Sequence, residues 1–315
     1  ARAEAARSPV LAIPTLEVLH NLNPDDVRAA LLLANTYTQA GKPKKALALL
    51  RKQLQNDQTP SRRLYETAMA VALYRNGTKQ KAERDFQLLL QTGPNDPTPL
   101  FEYVQLLKED HQWDRVSRKV IAWYREHTDG SNTAVSIAGG LLAIDDNQAS
   151  KAAEDILRTV LRDDSECTPA MRALAVMLQT VGRTAEAAVL YERLLAIEPD
   201  HLIAINNLAW IMCEDQGKYA EALELAQRGI KIAPDYFDLV DTRGVIHYRL
   251  RKFDKAAQDF TRCIDHGPST TPAGVATRFY LARTLVELGE NKRAIEQLDQ
   301  ALDLQSRLRG LSRED

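Results

Sequence analysis

TPAMRALAVMLQTVGRTAEAAVLYERLLAIEP, residues 168 to 199, is the stretch whose reading decides the fold. Its first half places Met171, Leu174, Ala175 and Leu178 at i, i+3, i+4 and i+7, one apolar stripe down a helix. Val181-Gly182-Arg183 interrupts the pattern, because glycine accepts the left-handed backbone that ends a helix. The second half carries Ala187, Leu190, Tyr191, Leu194 and Ile197 and stops before Pro199. Two amphipathic helices of this length bury their apolar faces only against neighbours of the same kind.

Such neighbours are present on both sides. Upstream, Leu33, Ala34, Tyr37, Gly41, Ala46 and Leu50 repeat the spacing, and so do Met69, Ala70, Leu73, Gly77, Ala82, Phe86 and Pro94, after a short spacer beyond Pro60. Downstream come Asn207-Leu208-Ala209, Gly217, Ala222 and Pro234, then Val240, Arg243-Gly244, Phe253, Ala256, Phe260 and Pro268. An insertion with Pro272 and Gly274 precedes Leu281-Ala282, Leu285, Gly289, Ala294, Leu298 and Ala301. Small residues recur at two fixed places per unit, where paired helices cross too closely for larger side chains.

On these residues the chain resembles the tetratricopeptide repeat (TPR) family, whose unit of about 34 residues follows W-x2-L-G-x2-Y…A-x3-F…P. Met171 stands at the Trp place, Leu174-Ala175 at Leu-Gly and Leu178 at Tyr, with Ala187, Tyr191 and Pro199 following. The resemblance implies an all-α fold, a right-handed α-solenoid (superhelix) of helix-turn-helix units. Eight units are expected, at about 27–60, 63–96, 97–130, 131–167, 168–201, 202–236, 237–270 and 275–308. Residues 1–26, with Leu16, Leu19 and Pro24, read as the second helix and linker of a unit whose first helix is missing, so the array is expected to extend upstream. Residues 309–315 read as a tail.

Two units depart from the pattern. The third keeps Tyr103-Val104, Leu107, Val116 and Val120 but carries His111 where glycine is usual and Trp113 in the turn. The fourth has Asp145-Asp146-Asn147 in place of the short turn, and Gly139-Gly140 inside its first helix. Each glycine there costs roughly 1 kcal/mol against alanine. Either the helix is weak at that point or a neighbour approaches closely.

Composition narrows the function. Lys plus Arg (41) nearly balances Asp plus Glu (43), a formal charge of −2, so no basic field awaits a phosphate backbone and nucleic acid is not an expected partner. Apolar runs are too short to span a membrane, and the opening ARAEAARSPV has no signal-peptide core. Cys167, Cys213 and Cys263 are far apart and read as unpaired packing residues. They favour the cytoplasm slightly and keep the periplasm open.

No catalytic residues, metal ligands or cofactors are expected. The six histidines lie mostly at turns and junctions, and His247, in a tyrosine place, reads as a packed, hydrogen-bonded side chain. Asp145-Asp146-Asn147 lacks the further ligands and terminal Glu of a calcium loop. Some TPR proteins carry a carboxylate clamp, in which Lys, Asn, Asn, Lys and Arg grip an acidic peptide terminus. In the best frame Arg172 and Asn207 match two places, while Val176, Asp238 and Thr242 fill the others. An acid where a base is required argues against that clamp.

The partner-binding candidates are therefore the residues on the open side of each first helix: Tyr74, Arg75, Phe101, Arg172, Asn206, Asn207, Trp210, Tyr248, Arg249, Phe279 and Arg283. Aromatic residues and arginine dominate interface hot spots, and the arginines would favour a partner bearing carboxylates. The expectation is a non-catalytic scaffold that holds a peptide or partner protein in a concave groove. Similarity of NNLAWIMCEDQGKYAEALELAQRGIKIAPD to bacterial-type TPR proteins adds two alternatives. One is an accessory region of a larger enzyme or of a secretion or exopolysaccharide-export assembly; the other is a self-associating solenoid, with a homodimer as its simplest form.

Overall fold

The left-handed turn residues set the architecture. In the computed structural model, which describes residues 9–55, 61–93, 96–127, 130–267 and 271–311, Gly41, Gly77, Gly182, Gly217 and Gly289 all have φ between 66° and 88°. Each ends one helix and lets the chain reverse into the next. After Gly182, the Arg183 amide donates to the Leu178 carbonyl at 2.8 Å, closing the helix end. His111 (φ 53°) and Arg251 (φ 57°) occupy the same turn place without being glycine, so the turn geometry is imposed by the flanking helices.

Seventeen helices and no strand are found among the described residues. The chain divides into two compact units, 1–165 and 166–315. Unit 1 contains α1 (Pro9–Leu22), α2 (Val27–Gln39), α3 (Pro43–Gln53), α4 (Arg62–Arg75) and α5 (Lys79–Thr92). It continues with α6 (Thr98–Glu109), α7 (Trp113–Glu126), α8 (Gly130–Leu142) and α9 (Asn147–Asp163). Unit 2 contains α10 (Thr168–Thr180), α11 (Thr184–Ile197), α12 (Leu202–Glu214), α13 (Tyr219–Ile232) and α14 (Phe237–Arg249). It ends with α15 (Phe253–His266), α16 (Pro272–Glu287) and α17 (Asn291–Leu311). Consecutive helices pack on one another within each unit, and α12, α14 and α16 also touch as a row of first helices.

The small-residue rule has a direct cause. Ala175 and Ala187 are fully buried, and a Cβ on Gly244 of α14 would lie 2.6 Å from the Phe260 ring of α15. Around these close crossings the large side chains Tyr65, Phe86, Tyr103, Tyr191 and Phe260 fill the interior. All three cysteines are buried. Pro60, Pro94, Pro268, residues 1–8 and residues 312–315 lie outside the described residues.

The fourth helix pair settles two sequence readings. Gly139 and Gly140 are exposed within α8, and a Cβ on either would meet nothing within 4 Å. No neighbour approaches them, and the close-approach alternative falls. Asp146 caps α9, its Oδ1 accepting from the Gln148 and Ala149 amides at 2.7 and 3.1 Å. The acidic turn is thus a helix start.

Candidate functional site

The first helices of unit 2 carry a polar ladder. Thr242 Oγ1 of α14 donates to Asn206 Oδ1 of α12 at 2.8 Å, and Thr277 Oγ1 of α16 donates to Asp241 Oδ1 of α14 at 2.6 Å; each link spans 36 residues, one repeat. Asn206 Nδ2 donates to Asn207 Oδ1 (3.3 Å), Asn207 Nδ2 to the Tyr191 hydroxyl (2.8 Å), and that hydroxyl to Gln179 Oε1 (3.0 Å). The repeat stacks the residues of α12, α14 and α16, and the buried Tyr191 of α11 ties them to Gln179 of α10.

Beside the ladder lies a cavity of about 270 Å³, lined by Asn206, Asn207 and Trp210 from α12, Phe237, Asp238, Asp241 and Thr242 from α14, and Thr277 from α16. Burial pushes the Asp241 carboxyl up to about 6, the charges of Asp238 and Asp259 add to this, and the Thr277 hydrogen bond only partly opposes it. Cys263 also lines the cavity, but burial pushes its thiol up to about 12, so it is a protonated packing group near neutral pH.

Behind this wall, Asp259 of α15 accepts from Arg243 Nε at 3.0 Å and lies 3.0 Å from His247 Nδ1. Burial would raise its carboxyl, yet the bonds to His247 and Arg243 outweigh that and hold it below the usual range. His247 is 6% exposed, a packed side chain tied to one carboxylate. Asp259 is therefore matched by its own chain. Asp238 and Asp241 join no ion pair among the described residues.

The residues expected from sequence do not form a single band. Trp210 is half-buried, packed on the core of unit 2 while lining the cavity, with Asn206 and Asn207 beside it. Arg283 lies over the Tyr248 ring at 5.2 Å and the Tyr280 ring at 5.9 Å. Arg249 is bound to Glu214, its Nε 2.7 Å from Oε1. Phe279 and Arg283 line a different groove, of about 350 Å³, between α16 and α17, together with Val286, Ile295 and Leu298.

In unit 1, Tyr74 is 3% exposed and donates to Asp110 at 2.6 Å, so it is a core residue rather than an open contact. Arg75 is paired with Glu109 at 2.7 Å, and Phe101 is 41% exposed. Arg172 is exposed on α10 and does not line the cavity. The charge at the cavity is the reverse of the expected one: carboxylates face it, not arginines.

Asp241, Thr277 and Gln179 were missed by sequence reasoning. The nearest signal was the acid at Asp238 and the hydroxyl at Thr242 in the clamp frame, which argued only against that clamp. Among the described residues no group of three His, Cys, Asp or Glu could hold a metal ion, and no helix is long and apolar enough to cross a membrane.

A family model described as tetratricopeptide repeat matches residues 3–71 and 178–242, and a second of the same description matches 242–307. Together the matches take in more than half of the chain and omit the divergent third and fourth units. No curated protein matches. Among solved structures, MamA 41-end from Desulfovibrio magneticus RS-1 is 16% identical with a TM-score of 0.48, covering 56% of this chain and 96% of that one. MamA AMB-1 is 21% identical with a TM-score of 0.45, covering 56% of this chain and 96% of that one. Likenesses of this size carry no argument about function.

Proposed function

The chain belongs to the tetratricopeptide repeat family, and on that premise we propose that it is a non-catalytic interaction scaffold that holds an extended peptide segment of a partner protein against the first-helix wall of unit 2. The observation that carries this reading is the cavity beside Trp210. An indole half-packed on the core is already ordered, so it presents apolar surface with little rotamer entropy left to lose. Asn206 and Asn207 each use one amide N–H within the ladder and keep a second for a ligand carbonyl. Aromatic anchors beside spare backbone-matching donors are what an extended peptide needs.

Panning a displayed random-peptide library on the full chain tests the reading. Peptides that enrich should bind Trp210→Ala roughly thirtyfold more weakly, the size of a hot-spot truncation, measured well below the lowered unfolding midpoint expected from the lost packing, where the helical signal still matches wild type. A library that yields no binder, or binders indifferent to Trp210→Ala, overturns it.

A further inference from the structure

The cavity on the α12–α14–α16 wall has a chemistry that names its guest. Its volume of about 270 Å³ lies under the roughly 300–1,000 Å³ typical of small-molecule sites, and suits one long side chain. Trp210 and Phe237 supply aromatic surface, while Asp238 and Asp241 supply carboxylates from successive turns of α14. Asp241 is half-buried and held through Oδ1 alone by Thr277.

Two neighbouring carboxylates of unit 2 that are taken partly out of water have arginines: Glu214 has Arg249 and Asp259 has Arg243. At the cavity the chain provides none. A desolvated carboxylate without a cation is costly, and the crossing of α14 with α16 needs only the Thr277 bond, which a neutral amide would accept equally well.

We infer that this cavity receives a cationic side chain, lysine or arginine, from the bound partner segment, with Asp241 and Asp238 as its counter-charges and Trp210 as its aromatic wall. A long aliphatic stem fits against Trp210 and Phe237, and the charged end meets the carboxylates at the base. The amides of Asn206 and Asn207 then serve the backbone of the same segment. Burial of Asp241 supports the assignment, since its raised affinity for a proton is equally an affinity for another cation.

The inference rests on the scaffold reading, and the test separates the two. Peptides enriched from the random library are synthesised in three versions, with the basic residue kept, replaced by norleucine, or replaced by glutamate. Binding is measured to wild type and to Asp241→Asn, which keeps an acceptor for Thr277. The expected result is a shared Lys or Arg position, a loss of roughly tenfold or more on norleucine replacement, and near-disappearance of that lysine–norleucine difference in Asp241→Asn.

Enriched peptides that need Trp210 but share no basic position overturn this inference and leave the scaffold standing. So does a lysine–norleucine difference that persists unchanged in Asp241→Asn. A library that enriches nothing overturns both.

Discussion

The first-helix walls of the two units are built from the same repeat and differ in what they leave unmatched. In unit 1 several charged groups of the wall are paired, although burial raises the carboxyl of Glu102 on α6. Tyr74 donates to Asp110, Lys79 reaches the same carboxylate at 2.5 Å, Arg75 holds Glu109, and Arg115 bridges Glu83 and the Tyr103 hydroxyl, each at 2.8 Å. In unit 2 the Glu214–Arg249 bridge repeats the Arg75–Glu109 bridge with its sense reversed, but Asp238 and Asp241 have no such partner. A position on the wall does not make a site. On the first-helix wall of unit 2, the half-buried Asp241 stands beside open volume with no cation of its own.

The strongest way to break the contrast is to remove an acid that is matched. Asp259→Ala leaves Arg243 and His247 facing each other without their shared carboxylate. Breaking a buried ion pair from one side costs about 3–5 kcal/mol. Hydrogen exchange should therefore accelerate across α14 and α15 while the amides of unit 1 keep their protection. Equal protection in both units would show that water replaces the carboxylate and that the matched acid is dispensable.

Removing the unmatched acid should have the opposite sign. The carboxyl of Asp241 is raised to about 6 in the folded chain, against 3.8 for a free aspartate, so its ionised form opposes folding. That cost is fully present above pH 6 and disappears as the pH falls from about 6 toward 4. Asp241→Asn should stabilise unit 2 by as much as ~3 kcal/mol at pH 8, with the gain fading below pH 6.

Asp110 in unit 1 is the control. Hydrogen bonds from Lys79 and Tyr74 hold its carboxyl below the usual range, so it contributes stability above that range and loses it on acidification. Asp110→Asn should cost no more than ~1 kcal/mol, because the site is exposed. Denaturant midpoints across pH 2–8 check both, the Asp241 change falling between pH 6 and 4 and the Asp110 change below pH 4, and parallel pH slopes for the two variants would erase the distinction between the walls.

Much of this fold was legible because it depends on spacing. Ala175, Ala187 and Gly244 mark helix crossings, and Gly41, Gly77 and Gly182 mark turns, whatever surrounds them. Even His111 could be placed in a turn from its register, although only the structure shows it holding a left-handed backbone. The site was harder to read, because it depends on which side chains neutralise one another across a whole repeat. Tyr74 and Trp210 are both large aromatics on first helices; Asp110, 36 residues on, draws one inward, while the open volume beside the other leaves it accessible. Arg249 reads as a free cation until Glu214, 35 residues earlier, is placed beside it.

The smallest expected effect concerns α8. Gly139 and Gly140 are solvent-facing and inside the helix, with no contact that a methyl group would disturb. Nothing in the packing of unit 1 therefore repays the backbone entropy that two adjacent glycines lose when they are held helical. Replacing either with alanine should stabilise unit 1 by about 0.5–1 kcal/mol. Gly140 should give the lower value, because it lies two residues from the end at Leu142, where the helix frays.

The same argument predicts faster amide exchange in the wild-type chain over residues 136–150 than over α10 of unit 2, which has no interior glycine. Alanine at both positions should close most of that gap without altering peptide capture in unit 2. If exchange over 136–150 is already as slow as in α10, the glycines are not a weak point, and the divergence of the fourth unit has another cause. If the alanines slow exchange in both units alike, the two do not open independently, and the comparison between their walls must be made on the chain as one cooperative body.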